Sequence, residues 1–311
     1  MNHPEIICAG ELLVDLISTE YAVDFRSADT YRRYAGGSPA NLAMNLARLG
    51  QDVGLVASVG TDDAGELLRQ AVADTGCDTS QVAATSEPTT LIMVTKSRQV
   101  SNFEAYRAAD KEITDDQFPA EYLSHCKVFH TTAFALSREP ARSAITAAAT
   151  AVVANGGRLS IDINYAEKIW PNRLEALWVI SNYVGLNSDG GPSTLVKCSD
   201  VDFMRLFDEP VESNEMAGER LMDLGAGVVC LTLGEEGSYL LVDGQAIVTK
   251  SRPVEVKDTT GAGDAFWSGF LAGHVTGLDW EACALTGRGM AERKLVTVGP
   301  LSGPVKLEDL R

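Results

Sequence analysis

No two of the six cysteines in this 311-residue chain stand at CxxC spacing. Cys8, Cys77, Cys126, Cys198, Cys230 and Cys283 are scattered, and a chain of this length needs no disulfide staples, so reduced, buried thiols are expected. Histidine is scarce as well. His3, His125, His130 and His274 show neither HxxxH nor HExxH spacing, which leaves a zinc site without support. GxxxxGK[ST] and GxSxG are absent, excluding a P-loop and a hydrolase nucleophile elbow. GAGDAF lacks the third glycine of a dinucleotide fingerprint, and its acid would repel a pyrophosphate. No segment approaches 18 uninterrupted apolar residues, so no membrane span is expected. The start, MNHPEIICAGELLVDLI, has no basic region and is interrupted by Glu11 and Asp15. It reads as a first strand rather than a signal, implying a cytoplasmic protein. Positive charge is in deficit, with 26 basic against 43 acidic residues and a net charge of −17. Such a surface repels nucleic acid, although a local field can still admit a small anion.

What is present alternates. Strand-like runs (EIICAGELLVDL, VGLVASVG, TTLIMVTK, KVFHTTAFAL, RLSIDIN, GVVCLTLG, SYLLVDG) are separated by helix-period stretches such as PANLAMNLARLG, GELLRQAVADTG, EPARSAITAAATAVVANGG and SNEMAGERLMDLG. This pattern predicts an α/β fold, a mostly parallel sheet flanked by helices, in one domain over residues 1–311. Two regions break the alternation, about 11–35 and 88–107, the latter with two β-runs around SRQVSN. Together they suit a small β-sheet lid whose open edges would let two chains pair as a homodimer. NSDGGPSTLVKC, residues 187–198, reads as a loop from its Gly, Pro and Ser content.

Two stretches carry chemistry. In DTTGAGDAFWSGF, Gly261, Ala262 and Gly263 precede a helical apolar run with Asp264 in its first turn. Unpaired N–H groups and the helix dipole there suit a phosphoryl anion, and Asp264 can take a proton from an attacking hydroxyl. An ordinary acid-capped glycine turn fits this stretch equally well. In AGGSPANLAMNLARLG, Gly36 and Gly37 allow close backbone approach, Pro39 starts a helix, and Asn41 offers a donor and an acceptor to a hydroxyl.

GGSPAN, followed by Gly50 and Gly60, together with DTTGAGDAFWSGF, resembles the two signatures of the ribokinase-like (PfkB) carbohydrate kinases, in the right order and spacing. The resemblance implies a ribokinase-like fold with a β-lid and ATP-dependent phosphorylation of a sugar. Asp264 would then be the base, and the amides of Gly261, Ala262 and Gly263 the anion hole. Asp15, Gly36, Gly37 and Asn41 would hold the sugar. LTLGEEGSYLL resembles the family's nucleotide strand, placing Thr232, Gly234 and Gly237 at ATP. Asp258 and Thr260 fall where many members bind K⁺, and Mg²⁺ would come with ATP. The family's Asn-x-x-Glu near the magnesium has become Ser199 and Asp202, with Lys197 beside them either facing phosphates or solvated at the surface.

For the acceptor, NFEAYRAAD and DINYAEKIW resemble fructokinase-like members, placing Arg107 and Asn164 near the sugar. An arginine expected to clamp an acid sugar's carboxylate is replaced by Ala166, and Lys168 lies on a different face. Fructose is therefore favoured over 2-keto-3-deoxygluconate. Arg26, Arg32, Arg33, Lys96 and Arg98 keep a phosphorylated sugar open. A sugar sensor without turnover, suggested only by Ser199 and Asp202, is the reading from another class. The intact TGAGD stands against it.

Overall fold

The computed structural model describes residues 3–96, 102–187 and 193–311. The strands, in chain order, are β1 Ile6–Ala9, β2 Leu13–Ser18, β3 Tyr31–Gly36, β4 Val53–Gly60, β5 Asp78–Thr85, β6 Leu91–Thr95, β7 Asn102–Tyr106, β8 Val128–Thr132, β9 Arg158–Ile163, β10 Thr194–Ser199, β11 Ala226–Thr232, β12 Ser238–Val242 and β13 Gln245–Thr249. The helices are α1 Ser38–Arg48, α2 Asp63–Ala73, α3 Ala120–Leu123, α4 Ala141–Ala154, α5 Arg173–Val184, α6 Asp200–Phe207, α7 Asn214–Met222, α8 Ala262–Val275 and α9 Trp280–Leu295.

Nine strands form one sheet in the order β13-β12-β11-β10-β9-β8-β1-β4-β5. It is parallel except at one margin, where β12 and β13 run antiparallel. Helices cover both faces. Ile6 and Cys8 of β1 enter one apolar cluster, while Ile7 and Ala9 enter the other. Strands buried on both faces need apolar side chains at every position, which is why VGLVASVG reads as one continuous run and is buried throughout. The two irregular stretches supply a second sheet, β3-β2-β6-β7, in which β2 and β6 are parallel and the outer pairs antiparallel.

Two expectations change. EIICAGELLVDL is not one strand but β1 and β2, in different sheets, so Asp15 belongs to the small sheet. The stretch expected as a loop from Asn187 to Cys198 contains β10, between β9 and β11 at the centre of the large sheet. Its apolar run is short, and the buried Lys197 interrupts it, so turn-forming composition upstream dominated the pattern. Residues 188–192 of that stretch, and Arg98 with most of SRQVSN, lie outside the described residues.

All six cysteines are free and buried. No helix among the described residues is long and apolar enough to cross a membrane.

Helix α8 is buried over nearly its whole length, and Trp267 donates its indole N–H to Ser160 Oγ of β9 at 2.9 Å. At Gly269 a Cβ would lie 2.6 Å from the Thr286 carbonyl oxygen of α9, so the two helices meet backbone to backbone. That contact fixes where the N-terminus of α8 points.

Candidate active site

The C-terminal ends of the parallel strands and the N-termini of α1 and α8 converge on one edge of the large sheet, where open α/β sheets bind ligands. Gly261 caps α8 in the left-handed conformation (φ 72°), which glycine adopts without strain. Asp264 follows in the first turn. Its Oδ1 accepts from Ser38 Oγ at 2.7 Å and its Oδ2 from Asn41 Nδ2 at 2.9 Å, so α1 holds the carboxylate from both sides. Burial raises the Asp264 pKa, and the charge of Asp162 raises it further, against the Ser38 hydrogen bond. A carboxylate shifted this way is a better proton acceptor near neutral pH than an exposed aspartate.

Asp15 approaches from the small sheet. Burial, reinforced by the Asp264 charge, pushes its pKa to about 7. A Cβ on Gly36 would sit 2.0 Å from Asp15 Oδ2, so only glycine leaves that carboxylate in place. Gly37, the N-cap of α1 at φ 101°, presses against the Glu11 carbonyl, where a Cβ would come within 2.2 Å. Asp15, Asn41, Arg48, Asp258, Gly261 and Lys294 line one cleft. The structure therefore brings together Asp15, Gly36, Gly37, Asn41, Gly261, Ala262, Gly263 and Asp264. Within the expected anion hole, the Ala262 N–H already donates to the Thr259 carbonyl at 3.2 Å.

Lys197 is not the solvated surface lysine that one reading allowed. It is buried, and its Nζ donates to both carboxylate oxygens of Asp162 at 2.8 and 2.7 Å. Burial would lower its pKa, but the Asp162 charge and these hydrogen bonds outweigh it and hold the ammonium protonated. A Cβ on Gly263 would lie 3.2 Å from that Nζ, so a fixed positive charge stands directly behind the start of α8.

Ser199 has a local explanation. It is the N-cap of α6, accepting from the Asp202 N–H at 3.0 Å, while its hydroxyl donates to Asp202 Oδ2 at 2.6 Å. Burial pushes Asp202 up to about 6. The hydroxyl and carboxylate are hard oxygen donors of the kind Mg²⁺ takes through its water shell, so the pair fits a magnesium brought by nucleotide. Thr232 ends β11, and Gly234 and Gly237 frame the turn into β12 with φ of 57° and 103°. The two outer turn residues, Thr232 and Gly237, are partly exposed, and Gly234 is open to solvent.

Arg107 pairs with Asp110 and is largely buried. Its side chain is 10% exposed, donates to Asp110 Oδ2 at 2.9 and 2.6 Å, and stacks 4.0 Å over Phe134. Asn164 Oδ1 accepts from the Phe134 N–H at 3.0 Å and fixes that loop. Ala166 packs against the apolar core, while Lys168 reaches across to Glu104 of the small sheet at 2.6 Å.

Both carboxylate oxygens of Asp258, where the resemblance implies a monovalent cation, accept from donors of the chain itself. Thr260 contributes an N–H to Asp258 Oδ1 at 3.0 Å, and Oδ2 accepts from the Gly299 N–H at 3.1 Å and from Lys294 Nζ at 3.3 Å. Burial would raise the Asp258 pKa, but these donors together hold it below the ordinary value.

Several participants carry no distinctive local signal. Ser38 lies inside GGSPAN and Asp162 inside DINYAEKIW, and Lys294 falls in no motif. Glu11 is buried, accepts from the Ser38 N–H at 3.3 Å and the Thr132 hydroxyl at 2.9 Å, and is pushed by burial to about 8.

A carboxylate held at a helix N-terminus, with buried cations nearby, is an arrangement suited to phosphoryl transfer to a hydroxyl. Residues 3–300 match the model of the pfkB family carbohydrate kinases, and the chain belongs to that family of ATP-dependent carbohydrate kinases. It is 32% identical over 297 residues to an ATP-dependent 6-phosphofructokinase of Thermoanaerobacterium thermosaccharolyticum, covering 96% of this chain and 89% of the relative. It is 29% identical over 280 residues to a 5-dehydro-2-deoxygluconokinase of Clostridium beijerinckii, covering 88% and 81%. The structure of Halothermothrix orenii fructokinase superposes with a TM-score of 0.77 at 31% identity, covering 96% of this chain and all of that one.

Proposed function

We propose that the chain transfers the γ-phosphoryl group of ATP to a hydroxyl of a neutral ketohexose, with fructose as the first candidate. The observation that carries this reading is Asp264, anchored by Ser38 and Asn41 at the N-terminus of α8. The sugar lies between the strand ends and the small sheet, with Asp15 and Asn41 on its hydroxyls. Arg107 and Asn164 act from the far side by fixing the Phe134 loop. The small sheet serves as a lid that excludes water and so limits ATP hydrolysis. Thr232, Gly234 and Gly237 line the nucleotide. Asp264 takes the proton as the sugar oxygen attacks the phosphorus in line. First-turn N–H groups of α8 and the Lys197 ammonium offset the charge that develops on the phosphoryl oxygens. Ser199 and Asp202 would hold the waters of a nucleotide-bound Mg²⁺, which supplies electrostatic neutralisation of the phosphates when bound.

The neutral-sugar preference rests on Ala166 and Lys168. No arginine stands at 166, and Lys168 is tied to Glu104, Asn102 and Phe103. A second reading, fructose 6-phosphate, is favoured by Arg32. In β3 it lies on the same sheet face as Tyr34 and Asp15, where the register pairs Asp15 with Tyr34 and Ile17 with Arg32. A coupled ADP-release assay against fructose, fructose 6-phosphate, 2-keto-3-deoxygluconate and 5-dehydro-2-deoxygluconate decides. Preference for either acid sugar would overturn the argument from Ala166. Preference for the phosphate would bring Arg32 into the site.

A further inference from the structure

We propose that the Lys294 ammonium serves permanently as the monovalent cation beside the anion hole, so that this kinase neither binds nor needs K⁺. The inference rests on the kinase reading of Asp264 for its effect on turnover, but its binding arm does not.

The argument begins with what surrounds Asp258. A carboxylate offers about four lone-pair positions. Here two are taken by the backbone N–H groups of Thr260 and Gly299 and a third by Lys294 Nζ. Lys294 also donates to the Thr297 carbonyl at 3.2 Å. A potassium ion must exchange its water for oxygen ligands. At this spot the carboxylate and the Thr297 carbonyl are already claimed by an ammonium, whose charge would repel a second cation. An ammonium group and K⁺ are similar in size and carry the same charge, so one substitutes for the other without enlarging the cavity.

The placement is built in. The side chains of Lys294 and Asp258 are each 7% exposed. Lys294 lies in the last turn of α9, where the negative end of the helix dipole favours a cation. A Cβ on Gly261 would sit 3.9 Å from Lys294 Cε, so the charge stands beside the N-cap of α8. Both residues also line the cleft that holds Asp15 and Asn41, so the site faces the substrate region rather than being sealed away.

The test compares KCl with tetramethylammonium chloride at equal ionic strength. It reads melting temperature without substrates and turnover with ATP and the preferred sugar. The wild-type chain should melt at the same temperature and turn over at the same rate in both salts. Lys294→Met should melt lower in tetramethylammonium and regain melting temperature as KCl is added. Its turnover should fall about a hundredfold in tetramethylammonium and recover in KCl. Saturable K⁺-dependent stabilisation or activation of the wild type would overturn the proposal, as would full turnover of the variant in tetramethylammonium. If Lys294→Met does not fold, the wild-type comparison alone still decides. If no sugar is turned over, the melting arm still reports on the cation, which separates this inference from the kinase reading.

Discussion

Removing the Lys197 charge tests whether the buried pair behind α8 is structural, catalytic, or both. Lys197→Met keeps the length of the side chain but leaves Asp162 buried, 5% exposed in its side chain, without its cation. Asp162 also sits close enough to Asp264 and Asp202 to raise the pKa of both. Breaking a buried pair on one side costs about 3–5 kcal/mol, because the remaining charge stays desolvated. For a chain of this size that corresponds to a fall in melting temperature of roughly 5–8 °C. Replacing both partners by apolar residues, Lys197→Met with Asp162→Leu, should restore most of that loss, since the uncompensated charge is gone. Turnover should not return with it, because the ammonium next to Gly263 is still missing. Chemical denaturation and a coupled ADP assay on the single and double variants read the two effects separately. A single variant within about 1 kcal/mol of wild type would refute the electrostatic argument. A double variant with normal turnover would refute the role assigned to Lys197.

Gly36→Ala should displace the Asp15 carboxylate, raising KM for the sugar about tenfold or more with a smaller change in KM for ATP; equal effects on both would dissociate Asp15 from the sugar. Glu11 is protonated more readily in the folded chain, at about 8 against an ordinary 4.5, so its contribution to stability is full below pH 4.5 and is lost as pH rises through 8. Glu11→Gln should flatten that decline, by at most ~5 kcal/mol across the window, as read from denaturation midpoints between pH 5 and 9. An unchanged slope would mean that Glu11 is ionised in the fold. Ser199→Ala removes the N-cap of α6 and should cost about 1 kcal/mol in urea unfolding; a cost near zero would reassign its hydroxyl.

The α/β class, the helix that carries Asp264 and the glycine turns were legible because each is a local pattern. Continuous apolar runs mark strands buried on both faces, and GAGD places small residues at a helix start. What remained hidden is tertiary. Lys197 reads as a break in an apolar run, yet it is a strand residue whose charge is matched by Asp162, 35 positions away. Lys294 meets Asp258 only because α9 folds back along α8. Helix α9 has a weak sequence pattern because Gly287 and Gly289 interrupt it; those glycines allow close packing against Phe266 and Leu310. The strands β5 and β13 are half-exposed margins without a clean alternation. That Ser199 also caps α6 depends on the Asp202 N–H lying within reach of its hydroxyl, a local geometry that the residue type alone does not specify.

The central claim is that Asp264 accepts the proton of the attacking hydroxyl, and Asp264→Asn tests it most directly. The amide preserves shape and can still bond Ser38 and Asn41, but it cannot take a proton. Turnover should fall by about 10²–10⁴ while ATP affinity, read by calorimetry, stays within a few-fold. Near-normal turnover in that variant would contradict the account.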